Sequence, residues 1–534
     1  TYWDCSLERM KWIANWEYVL GVTIFNNHGY HYSIEGERKR DWPPSQFYHH
    51  TWWKYYDQFT TYMSRLGHIL SGGKHVAKVL MLYPINSIWT NYVPQSRNDI
   101  GNVIEFDFNY LTDTLLKLHF DFDYTDEDIL SEAKIKNGKL KIADEEFELI
   151  ILPPLTHIKA SAFKKIQEFV NSGGKVIADT LIPTDLLEYE KNDAQQKLND
   201  LFGKDPEKLL HNFGNGASFG ISHKNSKGDV YIIEGKGLNR ERRKKELNET
   251  ILKCINPDVT ISNEDVFYLH RQKDGYDIYF ITNVLQEDKG EVEITFEKVG
   301  VPEIWNPNTG EIEKLKIYQV KDGRLNIKLN FPPSESHIII IRDEKPLSFI
   351  TESNIEIENF NGKEIIGFGN PDSKEVRLSI VKDGKIVNLN TPVKKKLPDI
   401  MLGNKFKFSV EDDNVLCISN WKMKTIKNSD VKTTYAKSNY NDSDWLNVTL
   451  GAWEMQLPQE RDEEVYPVTL WYRTSFEAEV LVKNMRLLID GFSGKSFKLF
   501  INGKEVKDRG RRSKLDAEIK EINIDKYLVK GHNT

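Results

Sequence analysis

The hydrophobic pattern changes character several times along the chain. Leu7, Met10, Ile13, Ala14 and Tyr18 recur at helical spacing with polar residues between them, which predicts a helix over 7–20. Gly21 follows as a terminating glycine. The apolar run Val22–Phe25 then predicts a short buried strand. A long polar loop leads to Trp42, Pro43 and Pro44, and a second helix is predicted over about 52–71, closed by Gly72 and Gly73.

From Val76 the rhythm alternates. Apolar strands at 76–83, 147–154 and 175–179, and a strand-like stretch at 120–124, are separated by helical patterns at 108–117 and 160–172. Continuous apolar strands between amphipathic helices predict a doubly wound α/β domain. From about 264 the helical patterns stop. Short strands at 266–270, 276–282, 292–296, 325–329 and 337–341 are divided by turns such as Lys273–Gly275 and Asn306–Gly310, the pattern of a small antiparallel β-sandwich. From about 346 a further all-β region begins, rich in Lys, Asp and Asn. The predicted organisation is a helix–strand–loop–helix unit over 1–73, the α/β domain over 74–262, the sandwich over 263–345 and the last β region over 346–534.

Composition narrows the function classes. At 534 residues the chain exceeds a single hydrophobic core. No run approaches the roughly 20 apolar residues of a membrane span. A net charge of −7 argues against a nucleic-acid partner, which would favour a basic face. Cys5, Cys254 and Cys417 are far apart and form no CxxC pair, against a disulfide framework or a structural zinc site, and they lean towards a reducing compartment. The chain starts at Thr1, and Tyr527–Thr534 stop where an apolar strand is expected to follow. Both ends therefore read as cut, which leaves a cytoplasmic and a secreted location open for a bacterial-type protein.

Candidate chemistry concentrates after Val22–Phe25. Six of the 12 tryptophans fall in the first 53 residues, interleaved with Asn, Glu, Arg and Asp that a plain core would exclude. The loop carries Asn27, His28, Tyr30, Tyr32, Glu35, Glu37, Arg38 and Asp41. A sugar site needs aromatic faces for the ring, polar groups for the hydroxyls and paired carboxylates for acid and base roles. This segment has all three, although a solvated charged loop ending in a Pro-Pro turn has the same composition. A second acidic group, Asp121, Asp123, Asp126, Glu127 and Asp128, suggests calcium but lacks EF-hand spacing. We read it as a strand end followed by a helix capped by Thr125, with Asp126, Glu127 and Asp128 in its first turn. The α/β domain has no cysteine on a strand-to-helix elbow and no GxGxxG, so amidotransferase or reductase chemistry is not indicated there. Trp445, Trp453 and Trp471 read as core rather than sugar platforms.

Glu8–Trp16, Gly21–His28, Tyr32–Ser33, Gly36–Arg38, Asp41–Ser45 and Trp52–Tyr56 resemble the end of the catalytic barrel in glycoside hydrolase family 106, the α-L-rhamnosidases. Val79–Pro84 and Leu149–Pro154 look like a glutamine-amidotransferase-like α/β domain. Trp471–Phe476 and Leu499–Gly503 look like a galactose-binding-like jelly roll shared with family-2 enzymes. The resemblance implies a multidomain α/β plus all-β chain. In it, 1–73 end a (β/α)8 barrel and the α/β domain, sandwich and jelly roll follow. It implies inverting hydrolysis of terminal rhamnosyl linkages by two carboxylates, aided by a calcium ion on the sugar hydroxyls. Glu35 or Glu37 would be the base or a hydroxyl-binding group, with Asn27, His28, Tyr30, Tyr32, Arg38 and Asp41 contacting the carbohydrate. The general acid and most calcium ligands would lie in a preceding barrel segment of the same polypeptide. On this reading the fragment is inactive alone, and residues 1–73 expose apolar surface. The other reading of the same surface chemistry is a non-catalytic carbohydrate-binding accessory protein.

Overall fold

The computed structural model describes residues 5–31, 45–48, 50–95, 100–207, 209–210, 220–223, 229–234, 240–369, 374–393, 403, 405–407, 416, 418–426, 433–451, 453–456, 468–492, 494–513 and 519–534. The chain forms two compact units. The larger comprises 7–25 and 57–400, and the smaller comprises 1–6, 26–56 and 401–534.

The larger unit holds α1 (Leu7–Val19) and all but the first residue of α2 (Tyr56–Leu70). An α/β layer follows, made of β1 (Lys74–His75), β2 (Val79–Leu82), α3 (Ile85–Asn91), α4 (Ile100–Lys117), β3 (Phe122–Thr125), α5 (Glu127–Glu132), β4 (Lys134–Lys136), β5 (Lys139–Ile142), β6 (Glu145–Phe147), β7 (Leu149–Leu152), β8 (His157–Lys159), α6 (Ala160–Asn171), β9 (Lys175–Thr180), β10 (Asp185–Leu187), α7 (Lys191–Phe202), β11 (Gly220–His223), β12 (Asp229–Glu234) and α8 (Arg240–Cys254). Among the described residues its main sheet has the order β11-β12-β9-β7-β2-β3. All of its pairings are parallel except that of β11 with β12. Alternate residues face opposite sides. Leu80, Leu82, Ile150, Leu152, Val176 and Ala178 pack with α6 and α7. Val79, Met81, Leu149, Ile151 and Ile177 pack with α4 and α8. Coverage on both faces is why Val79–Leu82, Leu149–Leu152 and 176–178 are uniformly apolar in sequence.

The sandwich follows with β13 (Val259–Ile261), β14 (Val266–Lys273), β15 (Tyr276–Asn283), β16 (Glu291–Phe296), β17 (Val301–Trp305), β18 (Ile312–Lys314), β19 (Gln319–Lys321), β20 (Arg324–Asn330) and β21 (Ser336–Arg342). One sheet has the order β1-β14-β15-β21-β17-β18 and the other β13-β16-β20-β19. Tyr268, Tyr279, Ile281, Ile339 and Ile341 meet Val292, Ile294, Phe296, Leu325 and Ile327 between the sheets. On its opposite face the first sheet carries Phe267, Leu269, Ile278, Phe280, Ile338 and Ile340, which pack against Ala14, Tyr18 and Val19 of α1 and Tyr62, Leu66 and Leu70 of α2. The helices are also tied by polar contacts. Tyr62 Oη donates to Asn15 Oδ1 at 2.5 Å and lies 2.6 Å from Ser336 Oγ, while Asn15 Nδ2 donates to Ser334 O at 3.2 Å. Trp12 Nε1 donates to Val284 O at 2.8 Å.

Further small sheets follow in the same unit, one pairing Ser348–Ser353, Glu375–Lys382 and Lys385–Pro392 around Ile350, Leu378 and Ile380. In the smaller unit Trp421–Ile426 pairs with Leu446–Val448 and Thr469–Arg473, and Arg486–Ile489 pairs with Lys520–Asn523. A core of Ile501, Val506, Ile522, Ile524, Tyr527 and Leu528 lies beside them. Trp445 is buried among Tyr435 and Tyr440, the core role expected of it. Among the described residues no helix is long and apolar enough to cross a membrane.

Two expectations are corrected. Val22–Phe25 is not a strand: it joins no ladder among the described residues, and Ile24 is 84% exposed. A short apolar run becomes a strand only when a partner supplies the ladder hydrogen bonds. Helix α5 is capped by Asp126 rather than Thr125, with Ile129 N donating to Asp126 Oδ1 at 2.8 Å. Thr125 is taken up as the last ladder residue of β3, opposite Leu82. Residues 1–73 do expose apolar surface, at Trp16, Leu20, Val22 and Ile24 among others, while the sandwich sheet covers Ala14, Tyr18 and Val19 of α1 and Tyr62, Leu66 and Leu70 of α2.

Two measurements test this packing. Leu66→Ala is expected to destabilise the chain by about 2–5 kcal/mol in urea denaturation, the cost of a buried leucine cavity. A cost near zero would mean that α2 does not pack on the sheet. His119 is buried at the end of α4 with Nε2 3.0 Å from Val266 O, and burial pushes its pKa down to about 4. A folded pKa below the unfolded value of about 6.5 contributes stability that is present above pH 6.5 and lost as pH falls through 4, about 3 kcal/mol in all. His119 has φ 59°, which asparagine tolerates. His119→Asn should therefore flatten the stability–pH curve between about 6.5 and 4, and an unchanged slope would contradict this.

Candidate functional site

The residues expected to meet sugar fall in two groups. Asn27, His28 and Tyr30 are described and exposed. Tyr32, Glu35, Glu37, Arg38 and Asp41 lie outside the described residues.

The described part of 26–56 is an aromatic cluster centred on Tyr56. Gly29, at φ 66°, turns the chain tightly, with Gly29 N donating to Asn27 O at 2.6 Å. Tyr30 then meets Trp53 edge-on at 6.2 Å between ring centroids. Trp53 stacks on Tyr56 at 5.0 Å with an interplanar angle of 11°, and Trp52 stacks on it at 5.6 Å. Trp52 Nε1 donates to Cys5 O at 2.8 Å, and His50 lies 4.1 Å from the Trp52 ring. His31, which is buried, meets Phe47 edge-on at 6.0 Å.

The Tyr56 hydroxyl is the polar centre of the cluster. It donates to Gln46 Oε1 at 3.1 Å, and the side chains of Tyr30 and Asn27 lie near enough to influence it. Burial pushes its pKa well up, and the hydrogen bond and charge of Tyr30 push it further, against the opposing Asn27. The phenol is therefore a neutral hydrogen-bonding group at ordinary pH. Two of the expected site residues, Asn27 and Tyr30, are thus brought to one point, whereas His28 has no role in that network. Sequence reading placed Trp52–Tyr56 at a helix start and missed the organising part of Tyr56 and Gln46. The density of aromatic residues was the available signal.

Chemically, this part of the segment can stack a ring face and bind hydroxyls. It carries no carboxylate among its described residues. Among its described residues it therefore offers no acid/base pair and no carboxylate ligand for calcium, only amide and backbone carbonyl oxygens such as those of Asn27 and Gln46.

Comparison with known proteins puts the chain among the glycoside hydrolases. A family model described as alpha-L-rhamnosidase, glycoside hydrolase family 106, matches residues 43–320, more than half of the chain, and the chain belongs to that family. A protein of Formosa agariphila described as a putative beta-glucuronidase is 26% identical over 367 residues, covering 67% of this chain and 27% of that protein. A rhamnosidase from Novosphingobium sp. PP1Y aligns over 99% of this chain and 41% of its own length, at 15% identity and a TM-score of 0.42. A beta-galactosidase from Bacillus circulans sp. alkalophilus aligns over 54% of this chain and 45% of its own, at 12% identity and a TM-score of 0.38. The chain therefore spans less than half the length of each of these relatives.

Tyr56→Phe removes the group on which Gln46, Asn27 and Tyr30 converge. A loss of about 1–3 kcal/mol is expected in chemical denaturation, the cost of unpaired polar groups. Unchanged stability would show that the three groups do not depend on that hydroxyl.

Proposed function

We propose that this chain is part of an α-L-rhamnosidase that hydrolyses terminal rhamnosyl linkages of a glycoside or polysaccharide with inversion, and that residues 26–41 form its share of the sugar site. The family match over residues 43–320, which begins beyond that segment, carries the rhamnosidase part of this reading. The exposed Asn27, His28 and Tyr30 beside an ordered aromatic cluster support it.

In this proposal residues 1–73 end a (β/α)8 barrel, whose catalytic groups gather at the C-terminal ends of its strands. Inversion needs a general acid on the leaving oxygen and a general base that activates water on the opposite ring face, about 6.5–9.5 Å away. We assign the base to Glu35 or Glu37 and the acid to a residue outside this sequence. Tyr30 would stack on the sugar, while Asn27, His28, Tyr32, Arg38 and Asp41 would bind its hydroxyls. The calcium ion would take its ligands mainly outside this sequence. By itself the 534-residue chain would not turn over substrate.

The test is release of rhamnose from an aryl α-L-rhamnoside by the full-length polypeptide carrying this sequence. Glu35→Gln or Glu37→Gln should lower kcat by about 10²–10⁴-fold, the usual worth of a general base, with KM little changed. No release, or full activity in both variants, would sink the assignment. Rhamnose binding without hydrolysis would instead support the accessory-protein reading.

A further inference from the structure

A second cluster of reactive side chains lies in the larger unit, among residues to which the proposed function gives no role. His75 comes from β1, Asp121 and Asp123 come from the start of β3, and Glu145 comes from β6. The imidazole is held at both nitrogens, with Nε2 2.8 Å from Asp121 Oδ2 and Nδ1 3.1 Å from Asp123 Oδ2. One ligand atom each from His75, Asp123 and Glu145 lies within 4.8 Å of the others.

Two features point to a cation. Geometry is the first: one nitrogen and two carboxylate oxygens from three separate elements converge on one point, and the far nitrogen of the imidazole is held by a further carboxylate, Asp121. Access is the second. The His75 and Asp121 side chains are only 11% and 12% exposed, whereas Asp123 is 36% exposed, so the cluster has a fixed inner wall and an open outer side.

We propose that His75, Asp123 and Glu145 bind one divalent transition-metal ion of the zinc type, with Asp121 as the positioning residue. An imidazole nitrogen with two carboxylate oxygens suits zinc or its neighbours better than calcium. Nδ1 and the two carboxylates take three positions, and water takes the fourth. Asp121 on Nε2 fixes the tautomer that presents Nδ1, as a carboxylate behind a metal-bound histidine does. The ion would fasten β1, β3 and the β5–β6 hairpin together where the α/β layer meets the sandwich.

The experiment is calorimetric titration of the chelator-treated chain with zinc chloride, with metal content measured by mass spectrometry and the cobalt(II) visible spectrum as a signature of the ligand set. One ion per chain, at micromolar or tighter Kd, and a Tm raised by a few degrees are expected. Glu145 is half-buried on a short hairpin, so Glu145→Gln should leave the fold intact, as circular dichroism would check. It should weaken binding at least about tenfold, as should Asp121→Asn, the usual loss on removing an outer partner of a ligating histidine. His75→Gln should abolish the cobalt spectrum. No stoichiometric binding by the wild-type chain, or equal binding by folded Glu145→Gln, would overturn the proposal and leave the cluster as an ion pair of His75 with Asp121 and Asp123.

Discussion

The burial of one β-sheet on both faces is the constraint on which the larger unit depends. In β14, β15 and β21 one set of alternate side chains enters the sandwich core and the other set packs under α1 and α2. An antiparallel sheet usually keeps one polar face. This one cannot, and its polar residues are therefore specific anchors. Asn15, Tyr62, Ser334 and Ser336 form a single buried hydrogen-bonded chain that sets where the two helices lie. With the helices fixed, the chain leaves α2 through Gly72 and Gly73 and pairs β1 with β14, which places the α/β layer.

Charged groups then specify that junction. His270 is buried between Asp258 and Asp277, and Lys78 pairs with Glu297 across the layers. Burial opposes the charge on His270, yet Asp258 and Asp277 raise its pKa. Within the α/β layer, Arg243 is buried between Asp107 and Asp179. Buried ion pairs of this kind add little net stability compared with apolar packing, but removing one partner is costly. We read them as setting register and orientation, while the apolar faces supply the main driving force.

Much of this was legible in the sequence where burial is symmetrical. The runs at 149–152 and 176–178 are apolar throughout and lie in central parallel strands. The helix over 160–171 ends before the predicted Gly173–Gly174 terminator. The run Ile338–Ile341 also carried a signal that was underused: four isoleucines in an antiparallel sandwich imply a second covered face. Other features needed three dimensions. Val22–Phe25 has strand composition but no partner. Asp121 and Asp123 read as acids before a helix, whereas their partners His75 and Glu145 come from other strands with no characteristic spacing. At the sugar site, the aromatic density foretold a cluster but not that Tyr56 would organise it.

Function rests on the union of a family assignment that covers residues 43–320 with a loop whose exposed amide, imidazole and phenol lie beside a stacked aromatic cluster. The central claim is that residues 26–56 meet the sugar. Hydrogen–deuterium exchange of the full-length polypeptide with and without L-rhamnose tests it most directly. The account predicts slowed exchange concentrated in 26–56. Protection confined instead to the β region around Trp445 and Trp471, with 26–56 unaffected, would contradict it.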